Sequence, residues 1–295
     1  IVTGGLSYWQ SSKAIVDYSN EEKKQNIYQI HTNVEQALRY IDLSTTYFLR
    51  SPQTREFLNE EMNADAFSEF HKLRKDLNHL QTLETGIEDI ILVSLEKKWL
   101  VNNDGLQHLD KKTYEQLNTH YLNTDQPQWL LEEADRIQLP NATKKSCSHY
   151  INLIKKLPIT SSSPEGIVSV LVPACELNNI MAESNDEESF IILDKNNQTI
   201  AHSNVAYTGE DGYIPNALFD KINRSETDGQ FEHQINGVDY KVSYQTSDYS
   251  DWSYLSLVKL SDLHSKSSSI GWITALIVSI LLIISLCFAI ISGRL

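Results

Sequence analysis

Cysteine is scarce in this chain of 295 residues, with three in all and no Cys-x-x-Cys pair. That sets aside a zinc ribbon, and so sparse a set does not make a disulfide-dependent secreted scaffold. Cys287 lies in an apolar C-terminal stretch, so Cys147 and Cys175 are the only pair left to bridge; free thiols and one bridge both fit the sequence. Positive charge is also short: 25 Lys and Arg stand against 39 Asp and Glu, a formal net charge of −14. Such a surface repels phosphate backbones, which argues against nucleic acid as a partner. Catalytic signatures are missing as well, with no Gly-rich phosphate loop, no Gly-x-Ser-x-Gly elbow and no His-Glu-x-x-His. The nine histidines are dispersed. His71 and His79, two turns apart with no carboxylate partner suggested, read as helix surface rather than metal ligands. In "DKNNQ", Asp194, Asn196 and Gln198 alternate like the start of a calcium loop, but the central glycine is absent and position twelve is Val205, so a hairpin turn is expected. Neither a metal nor another cofactor is expected, and no enzymatic activity.

What the chain does have is a long hydrophobic run. "GWITALIVSILLIISLCFAIISGRL" and the Ile270 before it carry no Asp, Glu, Lys, Arg or His as far as Ile291. About 20 apolar residues at a rise of ~1.5 Å cross a hydrocarbon layer of roughly 30 Å, so 270–291 is expected to be a transmembrane helix. Trp272 sits where an interfacial aromatic would, and Arg294 lies just beyond. At the other end "IVTGGLSYWQSS" reads, over 1–9, as the close of an apolar segment with Tyr8 and Trp9 at the interface. Two spans would then bracket an extracellular region of about 10–269 in the cell membrane, with 292–295 opening a cytoplasmic part.

Some 260 residues between the spans suit two modules of ordinary size. Residues 10–82 read as helical, a long stalk and a second helix. Ile27, Ile30, Val34, Ala37, Ile41, Ser44 and Phe48 follow steps of three and four, a seam that either packs on its own domain or pairs two stalks in a homodimer. "RSPQTREFLN" breaks this helix near Pro52, and Phe67, Phe70, Leu73, Leu77 and Leu80 mark the next. In 83–182 "IEDIILVSL" and "KWLVNND" read as paired strands, "KKTYEQLNTHYL" as a helix, and "HYINLIKKLPI" and "GIVSVLVPA" as two more strands. "AESNDEES" reads as a solvated linker to the second module, 183–265. There "SFIILDKNNQTIAHS" is strand, turn and strand, "NALFDKINRS" a short helix, and "GQFEHQINGVDYKVSYQ" a hairpin turning at Asn236-Gly237. "WSYLSLVKL" closes the module. The architecture is α+β: a long N-terminal helix, two antiparallel-sheet modules and a C-terminal transmembrane helix.

With no reaction motif, binding remains, and a pocket needs an apolar, aromatic lining with a few placed polar groups. The stretch from Gly105 to His149 is too long for a simple connection and is expected to roof a cavity over the first sheet. Trp129 and Arg136, seven apart, share one side if that stretch is helical. With Tyr121, Asp104 and Tyr150 they form the candidate ligand set.

"LIKKLPITSSSPEGIVSVLV", "SFIILDKNNQTIAHS" and "VSYQTSDYSDWSYLSLVKLSDL" resemble the double Cache sensor domains of bacterial membrane receptors. The early "RSPQTREFL" after a long helix is similar too, and the likeness covers Tyr8 to Leu295. It is nearest to the sensor regions of Firmicute regulators with a cytoplasmic AraC-type helix-turn-helix and of related sensor histidine kinases. The resemblance implies two PAS-like sheets on one long helix, a small-molecule ligand in the membrane-distal module, and a signal leaving through the second span. A histidine kinase or chemotaxis output, and a docking module for a solute-binding protein, are the alternatives. The resemblance has one departure. "WLLEEADR" lacks the Tyr/Arg/Trp-Tyr signature of amino-acid-binding members, and Pro173 stands where their amine-holding Asp would be, which favours a sugar or an organic acid over an amino acid.

Overall fold

The computed structural model describes residues 2–61, 67–81, 86–120, 128–133, 147–158, 164–181, 188–222 and 226–262, with seven further positions between 276 and 284. One helix, α1 (Val2–Leu49), runs beside both sheets. It buries Ile27, Ile30, Val34, Leu38, Ile41, Thr45 and Phe48, so the seam read from the sequence is real but packs on the chain's own strands. Leu38 and Thr45, rather than Ala37 and Ser44, are its deepest members in those turns, because a straight helix drifts against a strict seven-residue repeat. Ser51 then caps α2 (Pro52–Leu58): its side chain accepts from the Thr54 N–H at 3.2 Å, and Pro52 fills the first helical position. After α3 (Phe67–Gln81) the chain enters its first sheet.

That sheet holds β1 (Asp89–Ser94), β2 (Trp99–Asn102), β3 (Gly105–His108), β4 (Gln128–Glu133), β5 (His149–Leu157) and β6 (Gly166–Pro173) in the order β3-β2-β1-β6-β5-β4, antiparallel throughout. Helix α4 (Lys111–His120) leaves from β3, and α5 (Ala174–Met181) follows β6. The stretch expected to be a roof therefore contains two strands of its own, β3 and β4. Residues 128–133 pair with β5 from Gln128↔Ile154 to Glu133↔His149, so Trp129 is a strand residue and the helical spacing assumed for it and Arg136 does not hold there. "QWLLEE" has only three apolar residues in a row, too few for periodicity to separate strand from helix.

The second sheet, β7 (Glu188–Leu193), β8 (Thr199–His202), β9 (Asp228–Ile235), β10 (Val238–Thr246) and β11 (Ser253–Lys259), has the order β8-β7-β11-β10-β9. A short 3-10 turn (Val205–Tyr207) and α6 (Asn216–Phe219) fill its long connection. The β9–β10 turn is the expected one, with positive φ at Asn236 and Gly237.

Strands β1, β2, β6 and β8 are buried on both faces, whereas β9 turns Gln230, Glu232 and Gln234 to solvent. One continuous core joins α1, α2 and α3 to the helix side of both sheets, through residues such as Ile90, Leu92, Val170, Phe190 and Tyr254. On the outer side of the first sheet lies a separate cluster with Ile91, Leu100, Leu117 and Leu171, and on that of the second another with Ile191, Leu218 and Leu255. Cys147, just before β5, is bridged to Cys175 in α5, with Cα atoms 6.1 Å apart. Among the described residues no helix is long and apolar enough to cross a membrane. The span expected over 270–291 lies mostly outside the described residues. Leu276, Ile277, Ile280, Leu281, Ile283 and Ile284 within it are helical and each about half exposed.

Candidate functional site

Alternation assigns each residue of the first sheet to a face. Val168, Val170 and Val172 point to the helices, whereas Ile167 and Leu171 point outward, and Ser169 shares that outer face by its place between them. On β5, Ile151 and Leu153 face the helices; Tyr150 and Ile154 face out, with Asn152 between. Asp89 shares the outward face with Ile91 and Val93, and Asn102 with Leu100. The ladder sets Leu130, Asn152, Leu171 and Asp89 side by side across β4, β5, β6 and β1.

A buried polar row therefore crosses a face that is otherwise apolar. Ser169 Oγ donates to Asn152 Oδ1 at 2.7 Å, and Asn152 Nδ2 donates to Glu132 Oε2 at 2.8 Å. At one end Tyr150 Oη donates to Glu88 Oε1 at 2.7 Å. Asp89 is 3 % exposed; its Oδ1 accepts from the Asn103 N–H at 3.2 Å, but Oδ2 has no hydrogen-bond partner among the described residues. Asn102 Oδ1 accepts from the N–H groups of Asp104 and Gly105, and its Nδ2 is likewise without a partner there. Burial, reinforced by the charges of Asp104 and Glu88, pushes the Asp89 carboxyl up to about 6. Leaving such groups unsatisfied costs about 1–3 kcal/mol each, which a sheet formed only for packing would avoid.

Of the five residues picked from the sequence, Tyr150 and Asp104 come together at this end, through Glu88 and Asp89. Tyr121 and Arg136 lie outside the described residues. Trp129 is on the opposite face: its ring packs against the helix-side core and its Nε1 donates to Tyr249 Oη at 3.4 Å, in the turn before β11. Pro173 stands opposite Tyr150 in the β5–β6 ladder. Sequence reasoning missed Asp89, Asn102, Asn152 and Ser169. For Asn152 and Ser169 the signal was a lone polar residue inside a strand buried on both faces, "YINLI" and "IVSVLV"; Asp89 and Asn102, at the ends of β1 and β2 beside Glu88 and Asn103, carried no such signal.

The chain matches no protein-family model. It is 34 % identical, over its whole length, to the helix-turn-helix-type transcriptional regulator YtdP of Bacillus subtilis, and spans 38 % of that protein. Among solved structures it resembles the ligand-binding domain of the Campylobacter jejuni chemoreceptor Tlp3 in complex with L-valine, at a TM-score of 0.59 and 11 % identity, covering 86 % of this chain and 97 % of that one. It also resembles the extracellular domain of a putative histidine kinase, rpHK1S-Z16, at 0.52 and 14 % identity, covering 88 % and 99 %. The ligand-binding domain of the Pseudomonas fluorescens chemoreceptor CtaA with L-isoleucine aligns at 0.51 and 12 % identity, covering 86 % and 96 %. The fold is that of Cache-type sensory ligand-binding domains, with a sequence link to a transcriptional regulator.

Proposed function

We propose that the chain is the non-enzymatic, extracellular sensing region of a two-span membrane receptor, with its ligand on the outer face of the first sheet. The observation that carries this is the buried row of Asp89, Asn102, Asn152 and Ser169 on the face turned away from α1. Residues 83–182 are the membrane-distal module, 183–265 the proximal one, and 270–291 the second span. A ligand moves the equilibrium between two arrangements of α1 and that span only if it binds them with different affinity. The relation to a helix-turn-helix regulator supports an AraC-type cytoplasmic output, and the likeness to a histidine-kinase domain and to chemoreceptors supports the alternatives.

The row is rich in acceptors: the carboxylates of Glu88, Asp89 and Glu132 meet there. It therefore favours a ligand that donates hydrogen bonds, a sugar or polyol, over an organic acid. A second reading, an amine-bearing metabolite, is favoured by the Oδ2 of Asp89, which has no hydrogen-bond partner among the described residues, since an ammonium would satisfy it; the neighbours' L-valine and L-isoleucine carry one. A thermal-shift titration of the detergent-solubilised chain with sugars, polyols, amino acids and organic acids tests both. A saturable rise lost in Asn152→Leu is expected. No rise with any compound would defeat the small-molecule reading and leave docking of a solute-binding protein.

A homodimer belongs to the same reading. Tyr40, Leu43 and Tyr47 lie on one exposed stripe of α1, at 48, 68 and 84 % exposure, on the side away from the sheets. Their spacing of three and four suits a second copy of the helix.

A further inference from the structure

The second sheet has an outer face of its own. Along β7 and β8, Ile191 pairs with His202 and Ile192 with Ala201, and the register then shifts so that Leu193 pairs with Thr199. The extra residue is Ile200. Both Ile200 and Ala201 turn to the helix-side core, which leaves Thr199 and His202, three apart, on the outer face with their partners Leu193 and Ile191. The segment after the 3-10 turn lies alongside: Gly209 N–H donates to Thr199 O at 2.8 Å and Thr199 N–H to Glu210 O at 3.1 Å, which seats Thr208 beside them. The rings of Tyr207 and Tyr213 meet His202 edge-on, at centroid distances of 5.0 and 4.8 Å.

Thr199, His202 and Thr208 are 0, 2 and 7 % exposed, and Thr199 Oγ1, His202 Nε2 and Thr208 Oγ1 have no hydrogen-bond partner among the described residues. Asn197, 5 % exposed, holds Ile214 O with its amide nitrogen and leaves its Oδ1 unpaired there. The Asn204 N–H donates to His202 Nδ1 at 2.8 Å, so the neutral ring carries its proton on Nε2 and is a donor. Burial holds the His202 pKa down to about 4, so the ring is neutral at neutral pH. The cluster thus offers two hydroxyls, one N–H donor, one carbonyl acceptor and aromatic edges; its buried members carry no charge, and the carboxylate of exposed Glu210 reaches Tyr213 at its edge. Half-buried Tyr207 and Tyr213 carry it to the surface.

We propose that this cluster is a second ligand site, in the membrane-proximal module, for a small uncharged polyhydroxylated molecule. Hydroxyls of the ligand complete the bonds left open at Thr199, His202, Thr208 and Asn197, while its C–H faces rest on the tyrosines. A charged ligand would meet no counter-charge in a buried site and is excluded by its desolvation cost. The site shares no residue with the one on the first sheet, although the His149 ring of β5 lies against Gly209 at its edge.

The test is NMR of the full chain in detergent micelles, with ring-labelled histidine, during titration with glycerol, erythritol and ribose. The expected result is a saturable shift of the His202 Nε2–H resonance with at least one of them. Thr208→Val, at the edge of the cluster, is expected to weaken that binding about tenfold, a loss of about 1.4 kcal/mol. Asp89→Asn, on the first sheet, leaves the titration unchanged, so the two sites are told apart. No saturable shift with any of the three, showing that the groups hold water only, overturns the proposal. So does a shift that both Thr208→Val and Thr199→Val leave unaltered.

Discussion

Asp89 shows how one residue links stability to the candidate site. Its carboxyl rises from 3.8 to about 6, chiefly through burial. The folded chain therefore holds a proton on Asp89 between about pH 4 and pH 6 that the unfolded chain has released. The contribution of Asp89 to stability is fully present below this window and is lost as pH rises through it, by up to about 3 kcal/mol at roughly 1.4 kcal/mol per unit. Urea unfolding across this range should lose that component in Asp89→Asn, which should be the more stable protein above pH 6. If an amine is the ligand, its affinity should rise as pH passes 6, because only the carboxylate pairs with it. An unchanged profile in the variant would place the ionisation elsewhere. At this scale the sequence was partly legible. A lone Asn or Ser inside an apolar strand is visible, but whether its side chain meets a partner is not.

At the scale of elements, α1 is fastened to both sheets by polar bonds set into an apolar seam. Lys155, 3 % exposed on β5, is ion-paired with Asp42 and bonded to the Thr46 hydroxyl and the Asp42 carbonyl of α1. Asp42→Ala leaves a buried ammonium without its counter-charge and should lower stability by about 3 kcal/mol, whereas Lys155→Met, which fills the volume without charge, should cost far less. Chemical denaturation of the two variants separates these outcomes. The bridge between Cys147 and Cys175 ties the start of β5 to α5 across 28 residues. Reduction, or Cys147→Ser with Cys175→Ser, should lower stability by about 3.5 kcal/mol, by the loop entropy it returns to the unfolded chain. Both thiol states fitted the sequence, because spacing along the chain says nothing of the 6.1 Å between the Cα atoms. Hairpins and helices built on local pattern, such as β9–β10 and α4, were legible. β4 was not: its strand character comes from pairing with β5.

At the scale of the molecule, the two sheets meet around α1 and a small polar joint. Trp129 of the first sheet donates to Tyr249 of the second; Tyr249 Oη donates to Asp42 Oδ2 at 2.8 Å, and the Arg39 guanidinium lies 4.1 Å from the centre of its ring. Glu35 accepts from Ser250 Oγ and Tyr254 Oη at 2.6 and 2.9 Å just below. Glu132, which holds the polar row, is in the same strand as Trp129 but on its other face. Trp129, Tyr249 and Asp42 thus join β4, the strand that also carries Glu132, to α1. The outward stripe of that helix offers a separate test. Leu43→Glu with Tyr47→Glu should convert the proposed dimer to a monomer in analytical ultracentrifugation while leaving the circular dichroism spectrum unchanged, and should remove any dependence of the melting temperature on protein concentration. A dimer that survives both charges would put the contact elsewhere.

By itself the sequence determined the α+β order of elements, the apolar seam of α1, the Asn236-Gly237 turn and the absence of any reaction motif, since each depends on local period or residue type. Only the tertiary structure decided which face of a strand meets the helices and which turns outward. In strands buried on both sides, such as β1 and β6, the apolar pattern is the same on either face, and the helices that cover one face come from elsewhere in the chain. That is why Trp129 turned from a pocket candidate into part of the joint. It is also why Thr199 and His202, three apart, share a face that strict alternation would have denied them.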